Sequence, residues 1–290
     1  MSIKIKFFCH VCEKGDQRRD KGLVIPSNVI AHRGISYGPD KKFHTLDVFR
    51  PANAVGELPV FVNIHGGGYV CGSTDSYQFY CADMALRGFA VVSFNYRLAP
   101  KWKFPAPVED TNSVMIWICK NAEAYGFDLT KVAFVGDSAG AQIASQYATI
   151  CSNQEYAKKF GFSPPHFRLG AIVLNCGAYD IFEDMDSDSK LNFLNDAYFT
   201  KDIAKWGDIL DIPKFITPAF PPAYIMSAPG DFLFKKCESM AKLLQSKGIH
   251  TEYRIFGTEK TGHVFHLNIR SELAKQASQD EANFIHIQLG

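Results

Sequence analysis

In the run Lys131-Val132-Ala133-Phe134-Val135-Gly136-Asp137-Ser138-Ala139-Gly140, a β-type stretch leads into a Gly-x-Ser-x-Gly turn, and Ala139 to Ile150 behind it reads as a helix. A strand that turns sharply into a helix around a serine is a nucleophile elbow. Gly136 and Gly140 suit the strained backbone and the close approach of neighbours at such a turn. The geometry aims the hydroxyl of Ser138 out of the fold, where a base can activate it as a nucleophile.

Upstream by roughly 70 residues, a second apolar run, Leu58-Pro59-Val60-Phe61-Val62-Asn63-Ile64, ends in His65-Gly66-Gly67-Gly68. Acyl transfer places negative charge on the substrate oxygen, and preorganised backbone N–H groups stabilise it by roughly 3–4 kcal/mol per donor. By itself each pattern has a plain alternative, a glycine loop or a chance serine turn. Together, each after a strand and in this order, they point to nucleophilic catalysis.

Such a site needs an acid and a base, in the chain order serine, acid, histidine. The buried-type run Ala223-Tyr224-Ile225-Met226-Ser227-Ala228 leads into Pro229-Gly230-Asp231-Phe232-Leu233, which makes Asp231 the candidate acid. The run Thr251-Glu252-Tyr253-Arg254-Ile255-Phe256 is followed by a loop carrying Gly262-His263-Val264-Phe265-His266. His263, in the loop after a glycine, is the candidate base; it would take the proton of Ser138 while Asp231 held its tautomer. His266 is expected to open the last helix, packed or solvated. Glu238 falls inside a helix, and Asp180 follows an earlier strand, so neither displaces Asp231. An Asp at a strand end can also be a mere helix cap.

On these motifs the chain resembles the hormone-sensitive lipase group of α/β-hydrolases, which are carboxylesterases. Asn95-Tyr96-Arg97-Leu98-Ala99-Pro100, Phe104-Pro105-Ala106-Pro107, Glu109-Asp110, Asp231-Phe232-Leu233 and Gly262-His263-Val264-Phe265 are similar to further stretches of that group, and the resemblance covers roughly residues 40 to 285. It implies backbone N–H donors at Gly67, Gly68 and Ala139, with His65, Gly66, Gly136, Asp137 and Gly140 supporting them. It also implies esters of short acyl chains, acetyl to hexanoyl, and no cofactor. One departure is Ala141, where the group often has a second glycine. A methyl there touches helix–strand packing rather than chemistry.

Working outward, β-type and helical runs alternate, which predicts a mostly parallel eight-stranded sheet covered on both faces. Strands are expected at Ile30 to Ser36, Thr45 to Phe49, Pro59 to Ile64, Ala90 to Asn95, Lys131 to Val135, Ala171 to Asn175, Ala223 to Ala228 and Thr251 to Phe256. The clearest helices are Gln78 to Arg87, Val108 to Ala124, Ala139 to Ile150, Lys235 to Gln245 and Glu272 to Ile287. The first two strands, joined by Tyr37-Gly38-Pro39-Asp40, should form an antiparallel hairpin at one edge. With 290 residues, a single α/β domain is expected. Residues 1–30 and 179–222 do not fit the alternation and are expected to form a small helical cap. Phe182, Phe193, Leu194, Tyr198, Phe199, Trp206 and Ile209 should mostly pack that cap onto the core, and Glu183 to Asp188 should be a solvated acidic loop.

A net charge of +1 argues against a nucleic-acid face, and Lys14 to Lys21, mixed in sign, reads as a solvated segment. No apolar run is long enough for a membrane span. The first residues do not read as a leader, so the eight cysteines are expected as reduced thiols in a cytoplasmic protein. Cys9-His10-Val11-Cys12 lacks a second ligand pair nearby, which argues against zinc. Three functions remain: a short-chain carboxylesterase, an amidase or peptidase on the same fold, and a ligand-binding protein that has lost the chemistry. Retention of Ser138, Asp231 and His263 favours catalysis. The implied partner is a small-molecule ester, with a homodimer left open.

Overall fold

Apolar runs such as Val60-Phe61-Val62 become strands buried on both faces, as a parallel sheet requires. The computed structural model describes residues 1–179, 192–199 and 203–290. Its strands are β1 Val29–Ser36, β2 Thr45–Pro51, β3 Leu58–Ile64, β4 Ala90–Phe94, β5 Phe127–Asp137, β6 Leu169–Asn175, β7 Ala223–Ser227 and β8 Thr251–Ile255. They form an eight-stranded sheet in the order β1-β2-β4-β3-β5-β6-β7-β8. β2 runs antiparallel to β1 and to β4, and the remaining pairs are parallel. The expected edge hairpin is therefore present. β5 begins at Phe127 rather than Lys131 because Phe127 and Asp128 pair with Leu58 and Pro59 across a register shift.

The helices are α1 Ile3–Asp20, α2 Thr74–Leu86, α3 Ala106–Lys120, α4 Ala122–Tyr125, α5 Ala139–Ser152, α6 Gln154–Lys158, α7 Asn192–Tyr198, α8 Ile203–Leu210, α9 Ile212–Phe215, α10 Phe234–Ser246 and α11 Glu272–Leu289. Alternation along β3 divides the core. Val60, Val62 and Ile64 pack with Val108 of α3 and with Ile143 and Tyr147 of α5. Phe61 packs on the opposite face with Tyr80 and Met84 of α2 and with Phe284 and Ile285 of α11.

The N-terminal segment differs from the sequence expectation. Lys14 to Lys21 is not simply solvated: Asp16, Arg19 and Asp20 close the end of α1. Arg19 pairs with Asp16 at 2.8 Å and Asp20 at 2.7 Å, and donates to the Ser76 carbonyl of α2 at 2.6 Å. Arg270 in turn donates to the carbonyls of Arg19 and Lys21, which the end of the helix leaves free.

The chain leaves β3 toward β4 and later leaves β5 toward β6, on the other side. Their carboxyl ends therefore flank the point where the winding reverses, the crevice where open α/β sheets place ligands. Ile64 and Gly136 are register partners there, so the loops after these two strands start side by side.

Candidate active site

Ser138 lies at that edge with φ 55° and ψ −121°, directly before the first turn of α5. A non-glycine residue held at positive φ is strained and persists only where its surroundings fix it. Here the Ser138 amide donates to the Asn175 carbonyl at 3.0 Å, and the Ser138 carbonyl accepts from the Ala178 amide at 3.2 Å. The flanking glycines are sterically required. A Cβ on Gly140 would stand 2.0 Å from the Ile64 carbonyl oxygen, and one on Gly136 would stand 2.4 Å from the Gly140 oxygen. Ala141, the departure from the resemblance, is fully buried in the core and accommodated.

The glycine loop is pressed onto this elbow. A Cβ on Gly66 would lie 3.0 Å from Asp137 Oδ2 and 3.2 Å from Ser138 Cβ. Gly67 and Gly68 take φ of 115° and 58°, a region that favours glycine. His65 is wholly buried, stacked on Tyr96 with centroids 4.1 Å apart, and its Nδ1–H donates to the Gly66 carbonyl at 2.7 Å. Burial pushes this imidazole down to about 4, so it is neutral and serves the loop's shape. Among the described residues, no acceptor meets the amides of Gly67, Gly68 or Ala139. All three residues border one cavity together with Ser138 and His263.

Asp231 follows β7 and His263 follows β8, so the sheet brings them together across 32 residues. His263 Nδ1 stands 3.0 Å from Asp231 Oδ1 and 3.1 Å from Oδ2. Burial of Asp231 opposes its ionisation. Hydrogen bonds from His263, the Cys176 thiol and the Leu233 amide outweigh that and hold its carboxyl below the usual range. The Phe232 ring rests 4.4 Å from the imidazole. His266 does not open the last helix; it sits in a short 3-10 turn, fully buried, edge-on to Tyr80 at 5.3 Å. Glu238 pairs with Lys242 on the surface of α10, and Asp180 lies outside the described residues.

Three supports were not legible as motifs. The Tyr77 hydroxyl accepts from the Gly66 amide at 2.8 Å and donates to Asp137 Oδ2 at 2.7 Å, tying loop to elbow. Burial pushes Asp137 up to about 7, against the pull of the Tyr77 hydrogen bond. Cys176, after β6, turns at φ 48° and gives its thiol to Asp231. Its sulfur and the donor-type atoms of Asp231 and His263 lie within 4.8 Å of one another. The thiol is wholly buried behind the carboxylate and its ionisation is pushed far up by that burial, so it suits a hydrogen-bond donor rather than a metal ligand. Glu281 of α11 is the third support. It is fully buried and accepts from Tyr80 at 2.6 Å and from Asn175 at 3.4 Å, directly behind the elbow.

The cavity encloses about 1760 Å³. Phe8 and Cys12 of α1 border it, as do Leu194 and Asn195 of α7. Leu194 covers the glycine loop: a Cβ on Gly68 would stand 2.7 Å from Leu194 Cδ1. Phe193 meets Phe8 edge-on at 6.0 Å and so joins α7 to α1. Tyr198 stacks on Tyr69 at 4.0 Å, Phe199 meets Tyr69 at 5.7 Å, and Trp206 meets Phe104 at 5.2 Å. Ile209 is buried in the same core. Phe182 and Glu183 to Asp188 lie outside the described residues. Among the described residues, no helix is long and apolar enough to cross a membrane.

Chemically, the arrangement offers a strained, cavity-facing hydroxyl, unused amides beside it and an imidazole oriented by a buried carboxylate. A family model described as alpha/beta hydrolase fold matches residues 61–267. Ethyl acetate hydrolase of Pseudomonas putida is 40% identical over 121 residues, 40% of this chain and 37% of that protein. Esterase LipI of Mycobacterium tuberculosis is 31% identical over 219 residues, 72% of this chain and 66% of that protein. These matches thus span less than two thirds of either relative's length. In three dimensions, an inhibited esterase B of Lactobacillus rhamnosis superposes with a TM-score of 0.90 at 22% identity, covering 98% of this chain and 95% of that one. The chain belongs to the α/β-hydrolase-fold family, in the hormone-sensitive lipase-like group that its glycine loop and serine elbow resemble.

Proposed function

We propose that this protein is a serine carboxylesterase that hydrolyses short-chain esters of small molecules, acetyl to hexanoyl, through an acyl-enzyme. The reading is carried by the contact between His263 Nδ1 and Asp231 beside the cavity onto which Ser138 opens. Asp231 keeps the proton on Nδ1, which leaves Nε2 free to take the Ser138 proton as its oxygen attacks the ester carbonyl. Negative charge on the carbonyl oxygen falls to the amides of Gly67, Gly68 and Ala139, with the N-terminus of α5 adding a favourable partial charge. His263 returns the proton to the departing alcohol, and water hydrolyses the acyl-enzyme by the same route.

The names of the relatives support the substrate class. One is an ethyl acetate hydrolase, an enzyme of a two-carbon acyl group on a small alcohol. We place the cap in residues 1–30 and 179–222, on a single catalytic domain. No cofactor enters this scheme.

Hydrolysis of p-nitrophenyl esters from acetate to dodecanoate, run beside Ser138→Ala, tests the proposal. The expected result is turnover on the acetyl to hexanoyl esters, falling with longer chains, and a loss of roughly three or more orders of magnitude in the variant. Equal activity in Ser138→Ala, or activity confined to dodecanoate, overturns it.

A further inference from the structure

The outward face of α1 combines exposed apolar side chains with a single sign of charge. Ile3, Phe7 and Val11 stand in one line along the helix and are 86%, 69% and 51% exposed. Lys14 and Arg18 continue that line, Lys4 flanks it on one side, and Lys6 and His10 flank it on the other; all five are exposed. Among the described residues, no carboxylate pairs with Lys4, Lys6, Lys14 or Arg18. The acids of the helix lie toward its other side, where Glu13, Asp16 and Asp20 border the cavity.

The inward side holds the helix in place. Ile5 is buried, and Phe8 meets Phe193 edge-on at 6.0 Å. The Ser2 hydroxyl caps the first turn by accepting from the Ile5 amide at 3.3 Å, and Arg270 donates to the carbonyls at the far end. The outward face is therefore carried by a helix already formed and seated, so binding there spends little on ordering it.

We propose that this face docks on an anionic lipid surface, lying in the interface rather than crossing it. Ile3, Phe7 and Val11 enter the headgroup boundary, while Lys4, Lys6, Lys14 and Arg18 meet the negative headgroups around them. A polyanion without an apolar layer would leave the three apolar side chains in water. A second copy of the chain fits less well. The 18-residue helix is about 27 Å long, and a stripe about 10 Å wide offers roughly 270 Å², against the ~800 Å² per partner of a stable interface. A two-fold contact through this face would also set basic side chains against their own kind. A lipid surface needs only one helix face and supplies the opposite charge. Phe8 and Cys12, on the other side of α1, border the cavity, so docking holds the cavity wall about one helix diameter, 10–12 Å, from the lipid. The docking does not depend on the catalytic reading.

Flotation of the full-length protein with vesicles tests it, using phosphatidylcholine alone and an equimolar mixture with phosphatidylserine, at low and at high salt. The expected result is flotation with the mixed vesicles only, lost at high salt. Phe7→Gln with Val11→Gln should lower the bound fraction about tenfold or more, and so should Lys4→Glu with Lys14→Glu, which leaves the apolar stripe intact. Lys120→Glu, an exposed charge reversal on α3, should change nothing. Thermal melts confirm that each variant is folded, and either double variant suffices if the other is not. No flotation, equal flotation on phosphatidylcholine alone, or binding that survives in the folded α1 variants overturns the proposal. A dimer in light scattering that Phe7→Gln with Val11→Gln converts to monomer gives the face to a second copy and overturns it as well.

Discussion

Tyr77 holds two loops together with one hydroxyl. It accepts from the Gly66 amide and donates to the buried Asp137 carboxylate, so its removal strands both a donor and an acceptor in the interior. Leaving buried polar groups unpaired costs about 1–3 kcal/mol each. Tyr77→Phe keeps the ring and deletes only these bonds. We expect a lower melting temperature and a fall in kcat of about tenfold with KM little changed, because the glycine loop would lose its register against Ser138 rather than its cavity wall. Steady-state kinetics on p-nitrophenyl acetate with a thermal melt check this; an unchanged kcat would mean that Gly66 is held by its other contacts.

Elements are positioned here by how closely backbones approach, and two glycines separate that effect from propensity. Gly140 at the start of α5 has no room for a methyl, which would lie 2.0 Å from the Ile64 oxygen and 2.6 Å from the His65 oxygen. Gly140→Ala must push α5 off β3, and a destabilisation of more than about 3 kcal/mol with loss of hydrolysis is expected. Gly15, inside α1, has nothing within 4 Å of an added Cβ. Gly15→Ala should instead stabilise by about 0.5–1 kcal/mol. Denaturant unfolding of both variants decides whether packing or propensity governs each helix. The same contrast explains what the sequence could reveal. The eight strands and the main helices were legible because apolar runs and punctuating glycines are local signals, and the placement of Ser138, Asp231 and His263 just after strand ends was legible for the same reason. Tyr77 and Cys176 were not, because their partners come from across the chain: Tyr77 meets Asp137 at a separation of 60 residues. The role of Arg19 was hidden likewise, since a charged helical turn reads the same whether it faces water or, as here, the Ser76 carbonyl.

On the scale of the whole molecule, the sheet buries its acids behind the site, and this gives the fold a pH dependence. Glu281 joins α11 to Tyr80 of α2 and to Asn175 at the end of β6, a contact spanning 201 residues in the case of Tyr80. Burial raises its carboxyl to about 8 from an ordinary 4.5, with the hydrogen bonds from Tyr80 and Asn175 pulling the other way. Burial likewise raises Asp137 to about 7 from 3.8. In both cases the folded state keeps a proton that the unfolded chain has released. Stability from these groups is therefore complete below their unfolded values. It falls as pH rises through the window from about 4 to 8, and levels off once the folded carboxyls have ionised. Glutamine keeps the shape and hydrogen-bonding capacity of a protonated Glu281 but cannot ionise. The melting temperature of Glu281→Gln should thus lie near that of the natural protein at pH 5 and exceed it at pH 8.5, by roughly 2–4 °C for each kcal/mol of relieved penalty. Calorimetric melts across this range check the sign. A variant whose melting temperature declines with pH as steeply as the natural protein would show that Glu281 is already ionised in the fold, and that Asp137 or surface carboxylates set the slope.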